Sequence, residues 1–198
     1  MHGMICKSLE TFLRANHGHD VWAAVRAGAE MEAAGFEAMQ SYPDELFLAV
    51  VAAAAEFLGR PVSAVLEDVG TWICTTPPLE PVRRLIRFSG PTYEDLLWSL
   101  DEMHDRARLA VPDLDFPACS TEETEPGQFE ITVRWPIPGA AAVMTGMLRA
   151  MADDYGVLAM LDRGARQKIG DLWHERISVT LFESDFATPR DFSIGASA

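Results

Sequence analysis

Cysteine, basic residues and tyrosine are all scarce in this chain, and each shortage excludes something. The three cysteines, Cys6, Cys74 and Cys119, lie far apart and form no CxxC pair. Neither a disulfide framework nor a structural zinc site is indicated. Lysine and arginine total 16 against 30 acidic side chains, a net charge of −14. Such a surface repels phosphate backbones and anionic lipid, so neither nucleic acid nor a membrane is expected as a partner. The most apolar stretch, 46–58, is too short to span a bilayer. The first residues lack the charged segment and long apolar run of a secretory signal, so a soluble, cytoplasmic protein is expected. Catalytic signatures are missing as well: there is no GxSxG, HExxH, P-loop or GxGxxG ahead of a helix. No internal repeat or low-complexity segment is visible, and no enzyme is expected.

What is present is a 48% hydrophobic chain of 198 residues, enough for one sizeable core. Apolar spacing of three and four predicts helices over 7–15 and 20–27. Pro43 and Asp44 open a strong helix, 45–58, which Gly59 and Pro61 close. A shorter helix, 63–69, is expected to stop at Gly70, and another follows a proline-rich loop at 82–88. Thr92 and Asp95 form a capping-box pair. Behind them Leu96, Leu97, Leu100, Met103, His104 and Ala107 recur on one helical face. After Pro112 and Pro117 the period changes to two: Phe129, Ile131, Val133 and Trp135 alternate with polar residues in a half-buried strand, with 119–123 as a hairpin partner. Residues 140–154 return to helix. Strands are expected at 157–162 and 175–182, joined by a polar loop through Arg163, Gly164, Ala165 and Arg166. Helices first and an antiparallel sheet afterwards make the fold α+β. Residues 184–198 read as a flexible tail.

His104 is the first candidate for chemistry. On an apolar face it is either a core histidine satisfied by one hydrogen bond or a neutral imidazole offered to a metal. No second ligand stands at metal-ligand spacing, which disfavours zinc and leaves haem as the metal reading. Arg134 is either an exposed strand-end arginine or a guanidinium clamp for carboxylates. His17, His19 and Asp20 look like a solvated turn, Asp153-Asp154 and Glu122-Glu123 like solvated acidic edges, and the cysteines like small buried hydrophobes.

An ordered set of short motifs then resembles a known family. Met1-His2-Gly3-Met4-Ile5, Gln40-Ser41-Tyr42-Pro43-Asp44, Leu58-Gly59-Arg60-Pro61, Leu100-Asp101-Glu102-Met103-His104 and Pro112-Asp113-Leu114-Asp115-Phe116-Pro117 are similar, in that order, to the haem–nitric oxide/oxygen-binding (H-NOX) family. These are bacterial gas sensors related to the haem domain of soluble guanylate cyclase. The resemblance covers 1–183 as a single domain, helical over about 1–111 and built on a four-stranded antiparallel sheet over about 117–183. It implies a b-type haem between the two parts, with His104 as axial iron ligand, Pro117 pressing on the porphyrin and Ile5 packing on the distal side. The family's propionate-binding Tyr-x-Ser-x-Arg motif falls on Glu130, Thr132 and Arg134, where a carboxylate replaces the phenol. No tyrosine stands in the first turns of the helix after Arg134, so the resemblance implies a sensor of NO and CO that discriminates against O2. Output is expected in trans, through a histidine kinase or a cyclic-di-GMP enzyme. Glu130 keeps open a haem-free interaction module of the same fold.

Overall fold

The computed structural model describes residues 1–110, 114 and 116–182; the expected tail at 184–198 lies outside them. Four helices come first: α1 (Gly3–His17), α2 (His19–Gly28), α3 (Asp44–Leu58) and α4 (Val62–Thr75). Three shorter ones follow, α5 (Glu80–Arg87), α6 (Tyr93–Ser99) and α7 (Met103–Ala110). Then come β1 (Ala118–Glu125), β2 (Gln128–Trp135), α8 (Ala140–Tyr155), β3 (Leu158–Ile169) and β4 (Leu172–Phe182). The strands form one antiparallel sheet in the order β1-β2-β4-β3. The α+β architecture and the four-stranded sheet expected from the sequence are therefore what the chain adopts.

Two apolar cores fill this frame. Leu9, Leu13, Phe36, Val50, Ala54 and Val65 build the helical one, and Trp135 and Ile137 reach into it from the end of β2. Leu96, Leu97, Leu100, Phe129, Leu148 and Ile177 build the other, between α6, α8 and the sheet. Ala140 and Val143, in the first turns of α8, touch both. Burial of this kind, at roughly 25 cal/mol per Å² of apolar surface, is the dominant favourable contribution to folding.

A buried carboxylate ties the loop after α2 to the first helix. Glu10 is 2% exposed, accepts the Phe36 N–H at 2.7 Å, and pairs with Arg14 at 2.9 Å and Lys7 at 3.1 Å. Replacing it strands a buried N–H and two cations. Glu10→Ala is expected to cost about 2 kcal/mol, read as a lower urea midpoint with an unchanged slope, and Glu10→Gln, which keeps one acceptor, is expected to cost less.

The structure departs from the sequence reading in four places. First, α4 does not stop at Gly70 but runs to Thr75, because Gly70 is where the α8 backbone packs against it: a Cβ there would be driven into the Val143 carbonyl. Second, the expected polar loop at 163–166 is strand. The β3–β4 hairpin continues to a turn at Gly170 and absorbs a register shift between Arg163 and Arg166. Third, the helix after Thr92 keeps its capping box but is broken at Leu100–Glu102 by a 3₁₀ turn before α7 begins. Fourth, Asp154 is not a solvated edge. Its side chain is 6% exposed and pairs with Arg83 and, at 3.5 Å, with Arg87. Arg87 in turn lies 3.3 Å from the centre of the Tyr155 ring. These contacts fasten α5 to the end of α8, and each requires partners that sequence distance conceals.

Candidate functional site

The break at Leu100–Glu102 sets the local geometry of the site. The Thr121 hydroxyl donates to the Leu97 carbonyl at 2.9 Å, and the Thr121 N–H donates to Asp101 Oδ1 at 2.7 Å. These two bonds dock the α6 end against β1, and α7 then starts beside the segment leading into that strand. His104 is half-buried, with Nδ1 2.5 Å from the Phe116 carbonyl oxygen. A carbonyl can only accept, so Nδ1 carries a proton, and in the neutral imidazole the lone pair is then on Nε2. That is how histidines are commonly held when they ligate a metal through Nε2: the second bond fixes tautomer and ring plane and raises ligand basicity. Pro117 follows Phe116 directly, so the structure brings His104 and Pro117 together around one backbone segment. Met103 and Phe116 pack beside them on the core shared by α6, α8 and the sheet.

Ile5 is half-buried on α1 and packs with the helical core, the other of the two cores. The structure therefore places Ile5 and the His104–Pro117 pair on different lobes, joined where Ala140 and Val143 of α8 meet both.

The three residues expected to hold the propionates lie on β2, where Arg134 pairs in register with Ala118, next to Pro117. Glu130, Thr132 and Arg134 do share one face of β2, as alternation requires. However, the buried half of the strand is Phe129, Ile131, Val133 and Trp135. That half meets the helices, so the polar three point out on the opposite face. There Arg134 donates to Ser120 Oγ at 2.9 Å and to the Cys119 carbonyl at 3.3 Å. Glu130 lies 3.5 Å from Arg176 across the β2–β4 pair. The carboxylate at position 130 is thus balanced by an arginine of the neighbouring strand, a partner that sequence reading missed. Trp135 and Ile137, which do face inward, are apolar and offer a carboxylate nothing. The residues present fit the axial end of a haem site at His104 and do not furnish a cationic clamp on the inward face of β2.

Each tyrosine hydroxyl makes a hydrogen bond to backbone. The Tyr93 hydroxyl donates to the Leu148 carbonyl at 2.9 Å, and burial pushes its pKa well above the usual phenol value. The Tyr155 hydroxyl donates to the Gly90 carbonyl at 3.0 Å, and that of Tyr42 accepts the Glu37 N–H at 2.7 Å. The three cysteines are buried, and burial pushes Cys6 up to about 11 and Cys74 and Cys119 up to about 12. They remain thiols at neutral pH and offer no nucleophile. His17 and His19 flank the α1–α2 junction, where His19 Nδ1 lies 3.1 Å from the Arg14 guanidinium. No group of three or more His, Cys, Asp or Glu suited to a metal ion exists among the described residues. No single helix among them is long and apolar enough to cross a membrane.

Comparison with known proteins bears on the fold and the family. Residues 2–158 match the family model for haem-NO-binding domains. Among curated relatives, soluble guanylate cyclase 89Db of Drosophila melanogaster is 22% identical over 160 residues, 81% of this chain and 24% of the relative. Soluble guanylate cyclase gcy-31 of Caenorhabditis elegans is 20% identical over 154 residues, 78% of this chain and 22% of the relative. The chain therefore spans about a quarter of the length of these cyclases. Among solved structures, an H-NOX mutant from T. tengcongensis superposes with a TM-score of 0.76 at 14% identity, covering 94% of this chain and all of that one. A Cs H-NOX mutant gives 0.77 at 14% identity, covering 95% of this chain and all of that one. At that identity the superpositions speak for the fold, and the family model supplies the membership. With the family model matched over residues 2–158 and helices and sheet in the same arrangement, the chain belongs to the haem-NO-binding (H-NOX) family, the haem-based gas sensors related to soluble guanylate cyclase.

Proposed function

We propose that this chain is a haem-based sensor of NO and CO, with His104 as the axial ligand of a b-type haem. The observation that carries the reading is the Nδ1–H bond from His104 to the Phe116 carbonyl. It orients the ring and leaves Nε2 as the nitrogen that can ligate a metal, and a haem bound there would bring its own porphyrin donors. A haem bound there would supply the iron that takes a diatomic gas.

The protein's own part is positional. His104 is coupled through one hydrogen bond to Phe116, and Phe116-Pro117 runs straight into β1. A shift of the imidazole would therefore pull on the edge of the sheet. The Thr121 bonds to Asp101 and Leu97 would resist or relay that shift. For signalling, a partner must contact the two arrangements with different affinity. The output is assigned to a partner enzyme, a histidine kinase or a cyclic-di-GMP enzyme.

Selectivity follows from the tyrosines. Bound O2 carries partial negative charge and gains much from a hydrogen-bond donor, whereas NO and CO gain little. The Tyr93 and Tyr155 hydroxyls are spent on backbone carbonyls, Tyr42 is held at the Glu37 loop, and the first turns of α8 carry Ala140, Ala141, Val143 and Met144 in place of a phenol. The ferrous haem-loaded protein is expected to form NO and CO adducts and to show no stable O2 spectrum in air. A persistent O2 complex would overturn the selectivity.

The second reading, a haem-free interaction module, has one observation in its favour. The inward face of β2 holds Val133 and Trp135, while Arg134 is spent on Ser120 and Cys119. Haem titration separates the two readings.

A further inference from the structure

A cleft of about 580 Å³ opens between α3, α4, the start of α8 and the β3–β4 hairpin, on elements other than those that hold His104. Its volume lies in the range of roughly 300–1,000 Å³ typical of small-molecule sites. Phe47, Val51, Leu66 and Ala142 line it, each 8% exposed or less. Its rim is cationic in an otherwise acidic chain, for Arg163, Arg166 and Arg176 all border it. Arg163 is paired with Glu67 at 2.6 Å and Arg176 with Glu130 at 3.5 Å. Arg166 lies 5.3 Å from the centre of the Trp173 ring and has no acidic partner among the described residues. Glu175 also borders the cleft, but its carboxylate is taken by the Gly139 and Ala141 N–H groups at 3.0–3.1 Å, at the start of α8. The guanidinium left over is therefore that of Arg166.

We propose that this cleft binds an amphipathic carboxylate, a medium-chain fatty acid anion, with its chain against the apolar lining and its head group on Arg166. The alternatives fit less well. A cation would face Arg166 directly, and a neutral hydrocarbon would leave the rim unused while desolvating it. A planar guanidinium resting on an indole is pre-oriented to take a carboxylate through two parallel N–H bonds. The cleft is walled by α3 and α4 on one side and by α8 and the hairpin on the other. An occupant would touch both and raise the thermal stability of the chain by mass action.

The test is calorimetric titration of the purified full chain with sodium decanoate, with decylammonium chloride as the opposite-charge probe. Saturable one-to-one binding of decanoate, and none of decylammonium, is expected. Arg166→Glu should weaken decanoate at least tenfold. Ala52→Trp, at an exposed position bordering the cleft, should abolish binding by filling it while leaving the circular dichroism spectrum unchanged. Absence of saturable decanoate binding to the native chain would overturn the proposal. So would undiminished binding in Arg166→Glu, which does not depend on the tryptophan variant folding.

Discussion

Gly70→Ala is expected to destabilise the chain by about 4 kcal/mol or more, an effect reserved for a few mechanisms such as overpacking at a point that cannot relax. α4 and α8 are packed backbone to backbone. A Cβ at Gly70 would be driven into the Val143 carbonyl, and a Cβ at Gly146 into the Glu67 carbonyl. Both obstacles are main chain inside helices, so neither can swing aside as a side-chain tip would. The helices would have to part, opening the join where Ala140 and Val143 contact both cores. Against a total stability of about 5–15 kcal/mol, a loss of this size takes much of the margin. Ordinarily Gly→Ala inside a helix gains about 1 kcal/mol, so the sign itself is diagnostic. Gly28→Ala serves as the control: its Cβ would meet only the Ala53 methyl at 3.4 Å and should be close to neutral. Urea unfolding of the two variants beside the native chain reads the difference directly. A Gly70→Ala midpoint equal to that of the native chain would show that the two helices are not in such close contact.

The second large effect concerns function. His104→Ala is expected to abolish stable haem binding while leaving the fold intact. The protein loses one half-buried side chain and one bond to the Phe116 carbonyl, a cost of about 1 kcal/mol. The haem loses its protein donor to the iron. Added imidazole, small enough for the space the side chain leaves, should restore a Soret band in the variant but change nothing in the native chain. Retention of an unaltered haem spectrum by His104→Ala would move the axial ligand to another residue. Arg134→Ala provides the contrast. Its guanidinium holds Ser120 and Cys119 on the outer face of the sheet, so its removal should lower stability slightly and haem affinity hardly at all.

Much of this fold was legible because its elements carry their own punctuation. The Thr92–Asp95 box is formed as read. The alternation of Phe129, Ile131, Val133 and Trp135 is the buried pattern of β2. Met144, Met147, Leu148 and Met151, at helical spacing, are all buried in α8. What was misread was set by long-range contacts. Gly70 looks like a helix stop in sequence, and only the presence of α8 makes it a point of close approach. The segment through 163–166 looks like loop because that half of β3 is exposed and has no apolar alternation to reveal it. Asp154 looks solvated until Arg83 and Arg87 are brought to it.

The site divides in the same way. His104 could be placed on an apolar face by periodicity, but its tautomer depends on a carbonyl 12 residues away. For Glu130, Thr132 and Arg134 the shared face was correctly read. That this face lies opposite Phe129, Ile131, Val133 and Trp135 follows from the same alternation, which was visible in the sequence. Arg176, which balances Glu130, sits on a strand whose register with β2 no local pattern could supply.

The central claim is that His104, held by Phe116, makes this chain a haem protein. Anaerobic titration of the purified full-length chain with ferrous haem, followed by absorption in the Soret region, tests it most directly. One equivalent should saturate the protein and give a Soret band that shifts on adding NO or CO. A titration without saturation, indistinguishable from free haem, would contradict the claim and leave the fold as a haem-free interaction module.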